Sequence, residues 1–164
     1  MNKYQRPNVD ESKFISNPLV GIDFKILINK ITDGKSFVKD GETWLPKEYD
    51  LEKENITKLY TKAENRLIIS MLSSNAQRLY IWVAYELECG KDYLWVNKQR
   101  FMEENHIKSV NTYKTGLEEL IRYNLLCPTS EAKKGYYWIN PRLFFCGNRP
   151  NKYPNNIEIY STKG

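Results

Sequence analysis

Histidine occurs once in this chain, at His106, and cysteine three times, at Cys89, Cys127 and Cys146. The cysteines are odd in number, far apart and without a C-x-x-C pair, which argues against a disulfide framework or a zinc ribbon. They read as reduced, partly buried thiols. A single imidazole leaves little for histidine-paired metal sites or nucleophile–histidine catalysis. There is no P-loop and no G-x-G-x-x-G. The longest apolar stretches, Tyr80–Tyr85 and, with Ser70 inside it, Leu67–Leu72, fall far short of the roughly 20 residues that span a bilayer, and the first residues are too polar for a secretory signal. The expectation is a cytoplasmic protein without membrane contact, metal, cofactor or catalytic residues.

What is present suits a packed core: 164 residues, 41% hydrophobic and 27% charged, with 12 Tyr, 6 Phe and 4 Trp. The net charge is +5. Residues 1–74 carry 12 Lys/Arg against 11 Asp/Glu, residues 75–146 carry 10 against 8, and residues 147–164 carry 3 against 1. Such mild basicity suits a polyanion only if the cations gather on one face.

Residues 1–18 are polar and contain Pro7 and Pro18; they read as a poorly ordered arm. Val20, Ile22, Phe24, Ile26 and Ile28 then alternate with other residues, the period of a half-buried strand. Asp33-Gly34 and Asp40-Gly41 flank a short strand candidate at Ser36–Lys39, and another follows at Ile56–Thr61. Residues 1–60 thus form an arm and a small β-sheet extension, the expected seat of self-association.

From Ala63 the period changes. Ala63–Leu72 predicts a short helix with Leu67, Ile68, Met71 and Leu72 turned inward, and Ser74 with Gln77 has capping-box spacing. Asn75–Cys89 is apolar nearly all round and predicts a central buried helix stopped by Gly90. Asp92–Val96 predicts a strand, and Asn97 caps a helix over Lys98–Glu104 with Phe101 and Met102 inward. Asn105-His106 breaks the chain, with Asn taking the left-handed conformation. Ile107 plugs the turn, and Ser109 caps a helix running to about Tyr123 through Tyr113, Leu117, Leu120 and Ile121. Leu125-Leu126 starts a strand, Ser130–Gly135 is a basic loop, and Tyr136–Ile139 is a strand stopped by Asn140-Pro141.

This order predicts an α+β chain with a winged helix-turn-helix domain at 61–146, a small β extension at 1–60 and a basic C-terminal tail at 147–164. The helix from Ser109 leaves Ser109, Asn111, Thr112, Lys114, Thr115 and Glu118 free of core duty. A helix in the major groove reads bases with such N-terminal polar residues, and Asn pairs bidentately with adenine. Lys98 and Arg100 begin the preceding helix, Lys133 and Lys134 sit at the wing tip, and Arg142 and Arg149 add charge near the wing. A solvated helix face is the better account of any one of these residues taken alone; the group carries the reading. The aromatic residues Trp82, Tyr85, Trp95, Tyr113, Tyr136, Tyr137 and Trp138 fall at core positions and are expected to pack rather than stack on bases.

The segment 56–153 resembles winged-helix replication initiators of the RepL type and related DNA-binding proteins of plasmids and phages. The likeness is carried by Leu72-Ser73-Ser74, Asn111-Thr112-Tyr113 and Leu117-Glu118-Glu119-Leu120-Ile121. Its most specific part is Tyr137-Trp138-Ile139-Asn140-Pro141, followed by Leu143-Phe144-Phe145-Cys146-Gly147-Asn148-Arg149. It is also similar to proteins of phages of gut Bacteroidetes. The chain departs from the pattern at Asn105-His106, where Gly is usual, and by one extra residue between Ile107 and Tyr113, which leaves the helix register open by one. The resemblance implies a double-stranded DNA-binding protein of replication initiation or transcriptional control in a bacterial host cell, often a homodimer, with replication proteins as further partners. The alternative is a winged-helix interaction or virion-associated protein without specific DNA binding.

Overall fold

The computed structural model describes residues 4–21, 24–31, 37–40, 43–46, 57–60 and 62–162. The predicted features at Ile22, Ser36, Asp33-Gly34, Gly41, Ile56 and Thr61 lie outside these. The fold is α+β, with five α-helices and small sheets among the described residues.

Its centre is α2 (Ser74–Glu86), whose Ala76, Leu79, Tyr80, Val83 and Ala84 are buried. The helix is not sheathed all round as predicted, because Ile81 and Tyr85 remain exposed. Ser73, not Ser74, is its cap: the Ala76 N–H donates to Ser73 Oγ at 3.3 Å. The predicted partner Gln77 instead donates from Nε2 to the Ile69 carbonyl at 3.1 Å, so no capping box forms. Glu119 completes this end, accepting from the Ser73 N–H at 2.6 Å and from its hydroxyl at 2.7 Å.

The helix before it, α1 (Ala63–Met71), also turns differently from its apolar pattern. Leu67 and Met71 are exposed, while Asn65 and Leu72 are buried. The cause is the Asn65 amide, which donates to the carbonyls of Tyr60 at 2.8 Å and Arg142 at 3.1 Å. These two bonds bring a polar side chain inward and rotate Leu67 out.

After α2 come β5 (Tyr93–Trp95), α3 (Lys98–Glu104), α4 (Val110–Arg122), β6 (Leu126–Pro128) and β7 (Tyr136–Ile139). Asn97 caps α3 as expected, its Oδ1 accepting from the Arg100 N–H at 3.0 Å. Between α3 and α4 the left-handed residue is His106, at φ 55°, and not Asn105, whose φ is −100°. Asn105 is held by its own amide, which donates to the Phe101 carbonyl at 3.0 Å, so the reversal falls one residue later. Helix α4 packs on the start of α2 through Gly116, where an added Cβ would meet the backbone of Asn75 and Ala76 at 3.6 Å.

The three strands form an antiparallel sheet in the order β5-β7-β6. Strand alternation gives it two faces. Leu94, Leu126 and Ile139 join the main core with Leu79, Phe101, Leu120 and Phe144. Tyr93, Trp95, Tyr136 and Trp138 face the other way, and there Phe14 covers them, its ring centroid 4.6 Å from Tyr93 and 5.6 Å from Tyr136. The first residues are therefore not a loose arm over 4–18. Asn17 Nδ2 donates to the Ile139 carbonyl at 2.8 Å, Arg6 Nε donates to the Tyr136 hydroxyl at 2.9 Å, and that hydroxyl donates to the Pro7 carbonyl at 3.1 Å. The aromatic side chains of this face explain the docking: a sheet with four rings on its outer side needs a lid.

The remaining strands join the two ends of the chain. β1 (Ile26–Ile31) begins later than its alternation suggested and runs parallel to β9 (Ile157–Thr162); β2 (Phe37–Asp40) and β3 (Thr43–Pro46) form an antiparallel pair. β4 (Thr57–Leu59) pairs antiparallel with β8 (Phe144–Cys146). Between β8 and β9 lies α5 (Arg149–Lys152), so residues 147–162 are folded rather than a trailing basic tail. Arg149 shows why: its guanidinium lies 3.3 Å from the Tyr60 ring centroid, and Nη1 donates to the Pro141 carbonyl at 3.0 Å. Below it the Tyr153 hydroxyl donates to buried Asp92 at 2.8 Å. No described helix is long and apolar enough to cross a membrane.

Candidate nucleic-acid interface

An open cleft of about 740 Å³ lies between α3, α4 and the loop joining β6 to β7. Its construction follows from local chemistry. Asn97, two residues beyond β5, caps α3, which sets Lys98 and Gln99 on the first helical turn at the cleft wall. Tyr113 is inward on α4, and its neighbour Lys114 is turned to the cleft and exposed. The loop closes with a 3₁₀ turn at Ala132–Lys134, followed by Gly135 at φ 93°. A Cβ on Gly135 would stand 3.0 Å from the Val96 carbonyl and 3.1 Å from the Trp95 ring. Only glycine lets the loop tuck against β5 and hold Lys133 and Lys134 over the cleft.

Four cations therefore line one cavity: Lys98, Lys114, Lys133 and Lys134. The Lys98 ammonium stands 5.8 Å from the Tyr113 ring centroid. Lys134 pairs with Glu131 at 3.2 Å, while Lys133 and Lys114 have no ion-pair partner among the described residues. One acid, Glu103, shares the lining. It accepts from Gln99 Nε2 at 3.2 Å and from the Tyr4 hydroxyl, so the N-terminal segment reaches the cleft wall. Burial pushes the Tyr113 and Tyr137 hydroxyls above the ordinary phenol range, so both stay neutral.

Beside the cleft, α4 exposes Ser109, Asn111 and Thr115, with Thr112 half-buried. Ser109 holds the cap position but makes no side-chain capping bond, so its hydroxyl has no helix duty. The Thr115 hydroxyl donates back to the Asn111 backbone carbonyl at 2.8 Å. The first turn of α4 carries no acid.

No protein-family model, curated protein or solved structure matches the chain. What this cleft accepts follows from its chemistry alone.

Three of the expected cations stand elsewhere. Arg100 turns toward α2, donating to Glu104 at 2.7 Å and Glu86 at 3.0 Å and lying 5.8 Å from the Trp82 ring centroid. Two carboxylates neutralise it, and the i,i+4 spacing to Glu104 was legible in the sequence. Arg142 is exposed but lies outside the cleft lining, its carbonyl held by Asn65 from α1. Arg149 is committed to Tyr60 and Pro141. Trp95, Gln99, Glu103 and Tyr137 line the cleft without having been singled out as site residues; Gln99 was within reach of sequence reasoning because it shares the first turn of α3 with Lys98. Among the described residues, no three His, Cys, Asp or Glu side chains gather as metal ligands.

Proposed function

We propose that this chain is a winged helix-turn-helix protein that binds double-stranded DNA sequence-specifically, in phage or plasmid replication initiation or transcriptional control. The observation that carries the reading is the gathering of Lys98, Lys114, Lys133 and Lys134 around one cleft beside the polar N-terminal turn of α4. Helix–strand–helix–helix–strand–loop–strand with a β5-β7-β6 sheet supports the same assignment. In this reading α4 enters the major groove, Asn111 and Thr115 meet base edges, and the lysines on either side hold phosphates. The likeness to RepL-type initiators agrees with it, as would self-association through the N-terminal β elements and contacts with replication proteins.

Four phosphate contacts, one of them from Lys134 in competition with Glu131, release counterions and give a log–log salt slope of about −3.2. Anisotropy titrations of a duplex library across salt measure it directly. After selection of a cognate site, Asn111→Ala should cost about 1–3 kcal/mol on that site and almost nothing on random DNA. Salt-independent, negligible binding would sink the proposal. A second reading, a protein-docking module, draws on the exposed Leu59, Leu67, Met71, Ile81 and Tyr85 of β4, α1 and α2, and flat salt dependence would favour it.

A further inference from the structure

Two of the three cysteines meet in space although 89 and 146 are far apart in the chain. Cys89 follows α2 and is exposed; Cys146 ends β8 and is buried. The Gly90 N–H donates to the Cys146 carbonyl at 2.9 Å, so the two backbones lie side by side. Just beyond, Gly147 takes φ 105°, and a Cβ there would stand 2.9 Å from Cys89 Sγ. The absent Cβ is the space the Cys89 sulfur occupies, directly against the residue after Cys146. The Cys89 thiol is near enough to help raise that of Cys146.

We propose that Cys89 and Cys146 form a thiol-exchange site that takes low-molecular-weight disulfides and closes into an internal bridge. Exposure makes Cys89 the sulfur that small reagents reach first. Burial raises the Cys146 thiol, with the Thr57 hydroxyl working in the opposite direction, so Cys146 reacts as the resolving partner. The Cys89 thiolate attacks one sulfur of RS–SR and expels RS⁻, leaving Cys89–S–S–R. Cys146 then gives up its proton, attacks the Cys89 sulfur and expels the second RS⁻. The protein loses two thiol hydrogens and the reagent leaves as two RSH, so oxidation of the pair equals reduction of the reagent. The inference stands apart from DNA binding, because neither cysteine lines the lysine cleft.

The experiment treats the full chain with oxidised glutathione and reads intact mass and a peptide map. The native chain should lose two hydrogens, keep no glutathione, and yield a Cys89–Cys146 linked peptide. Cys146→Ser should stop at a stable glutathione adduct on Cys89, and Cys89→Ser should leave Cys146 unmodified. In guanidinium the internal bridge should give way to separate adducts, since proximity is lost. The bridged protein should melt roughly 10 °C above the reduced one, because a long loop is closed, and dithiothreitol should reverse this. A lasting Cys89 adduct on the folded native chain, or bridging as fast in guanidinium as in buffer, would overturn the proposal. The peptide map on the unsubstituted chain decides the matter even if a serine variant folds poorly.

Discussion

Replacing Lys133 and Lys134 with alanine tests whether the loop between β6 and β7 meets phosphates. The two lysines are not equivalent. Lys133 is exposed without an ion-pair partner among the described residues, whereas Lys134 lies 3.2 Å from Glu131, which also stands 3.9 Å from Lys13. Lys133 should therefore contribute a whole counterion equivalent, about 0.9 in the log–log slope, and Lys134 roughly half of that while Glu131 competes. The double variant should flatten a slope of about −3.2 to about −1.8. Raising salt fourfold then weakens the native chain roughly 80-fold and the variant roughly 12-fold, a gap that anisotropy titrations resolve. Glu131→Gln should act in the opposite sense and steepen the slope by releasing Lys134. Melting should barely move in any of these variants, because an exposed i,i+3 pair contributes a few tenths of a kcal/mol. An unchanged slope in a folded double variant would remove the loop from the interface, and the protein-docking reading would take precedence.

Other tests address the scaffold. Gly116→Ala should stabilise the chain by about 0.5–1 kcal/mol in chemical denaturation, since its Cβ would meet ordinary 3.6 Å contacts in mid-helix, while Gly135→Ala should cost about 1–2 kcal/mol or more at its left-handed, 3.0 Å-crowded site. Equal effects of the two alanines would contradict the geometry. Phe14→Ala should cost about 3 kcal/mol and expose the sheet aromatics to quenchers, for Phe14 is buried against Tyr93, Tyr136 and Trp138; a silent substitution would mean the segment is not docked. Glu88 is held below its ordinary 4.5 by Lys91 first and Arg6 next. A depressed carboxylate contributes stability above its unfolded value and loses it as pH falls through the folded one. Melting curves of wild type and Glu88→Gln should thus differ at neutral pH and converge below about pH 4; a constant gap down to strong acid would refute the assignment.

The helices and strands from α2 to β7 were legible because each carries a local signal: Asn97 at a cap, Gly90 and Gly135 at turns, aromatic residues at period two in Tyr136–Ile139. Burial was less legible. Apolar spacing pointed α1 inward through Leu67 and Met71, but two hydrogen bonds from Asn65 turn the helix the other way and leave both side chains exposed. The fate of the arginines was hidden for a related reason. Charge and position along the chain do not say whether a guanidinium meets solvent: besides Glu104 on its own helix Arg100 found Glu86 on α2, and Arg149 found the Tyr60 ring and the Pro141 carbonyl. Lysines on tight turns, with short local neighbours, were the more transparent cations. Nor does any pattern within residues 1–18 reveal that Phe14 lids the sheet, because its partners lie in β5 and β7.

The parallel pairing of β1 with β9 sets the timing of folding. Ile26 must wait for Ile157, so this ladder cannot form on a growing chain until residues 157–162 have been made. The segment from α2 to β7 closes over much shorter loops and should assemble first, as elements of low contact order do. Strand β1 meanwhile offers an unpaired edge to neighbouring chains, the usual route to domain swapping. A nascent or truncated chain lacking 157–162 would thus hold its lysine cleft while leaving that edge open, so aggregation rather than loss of the cleft would be its characteristic failure.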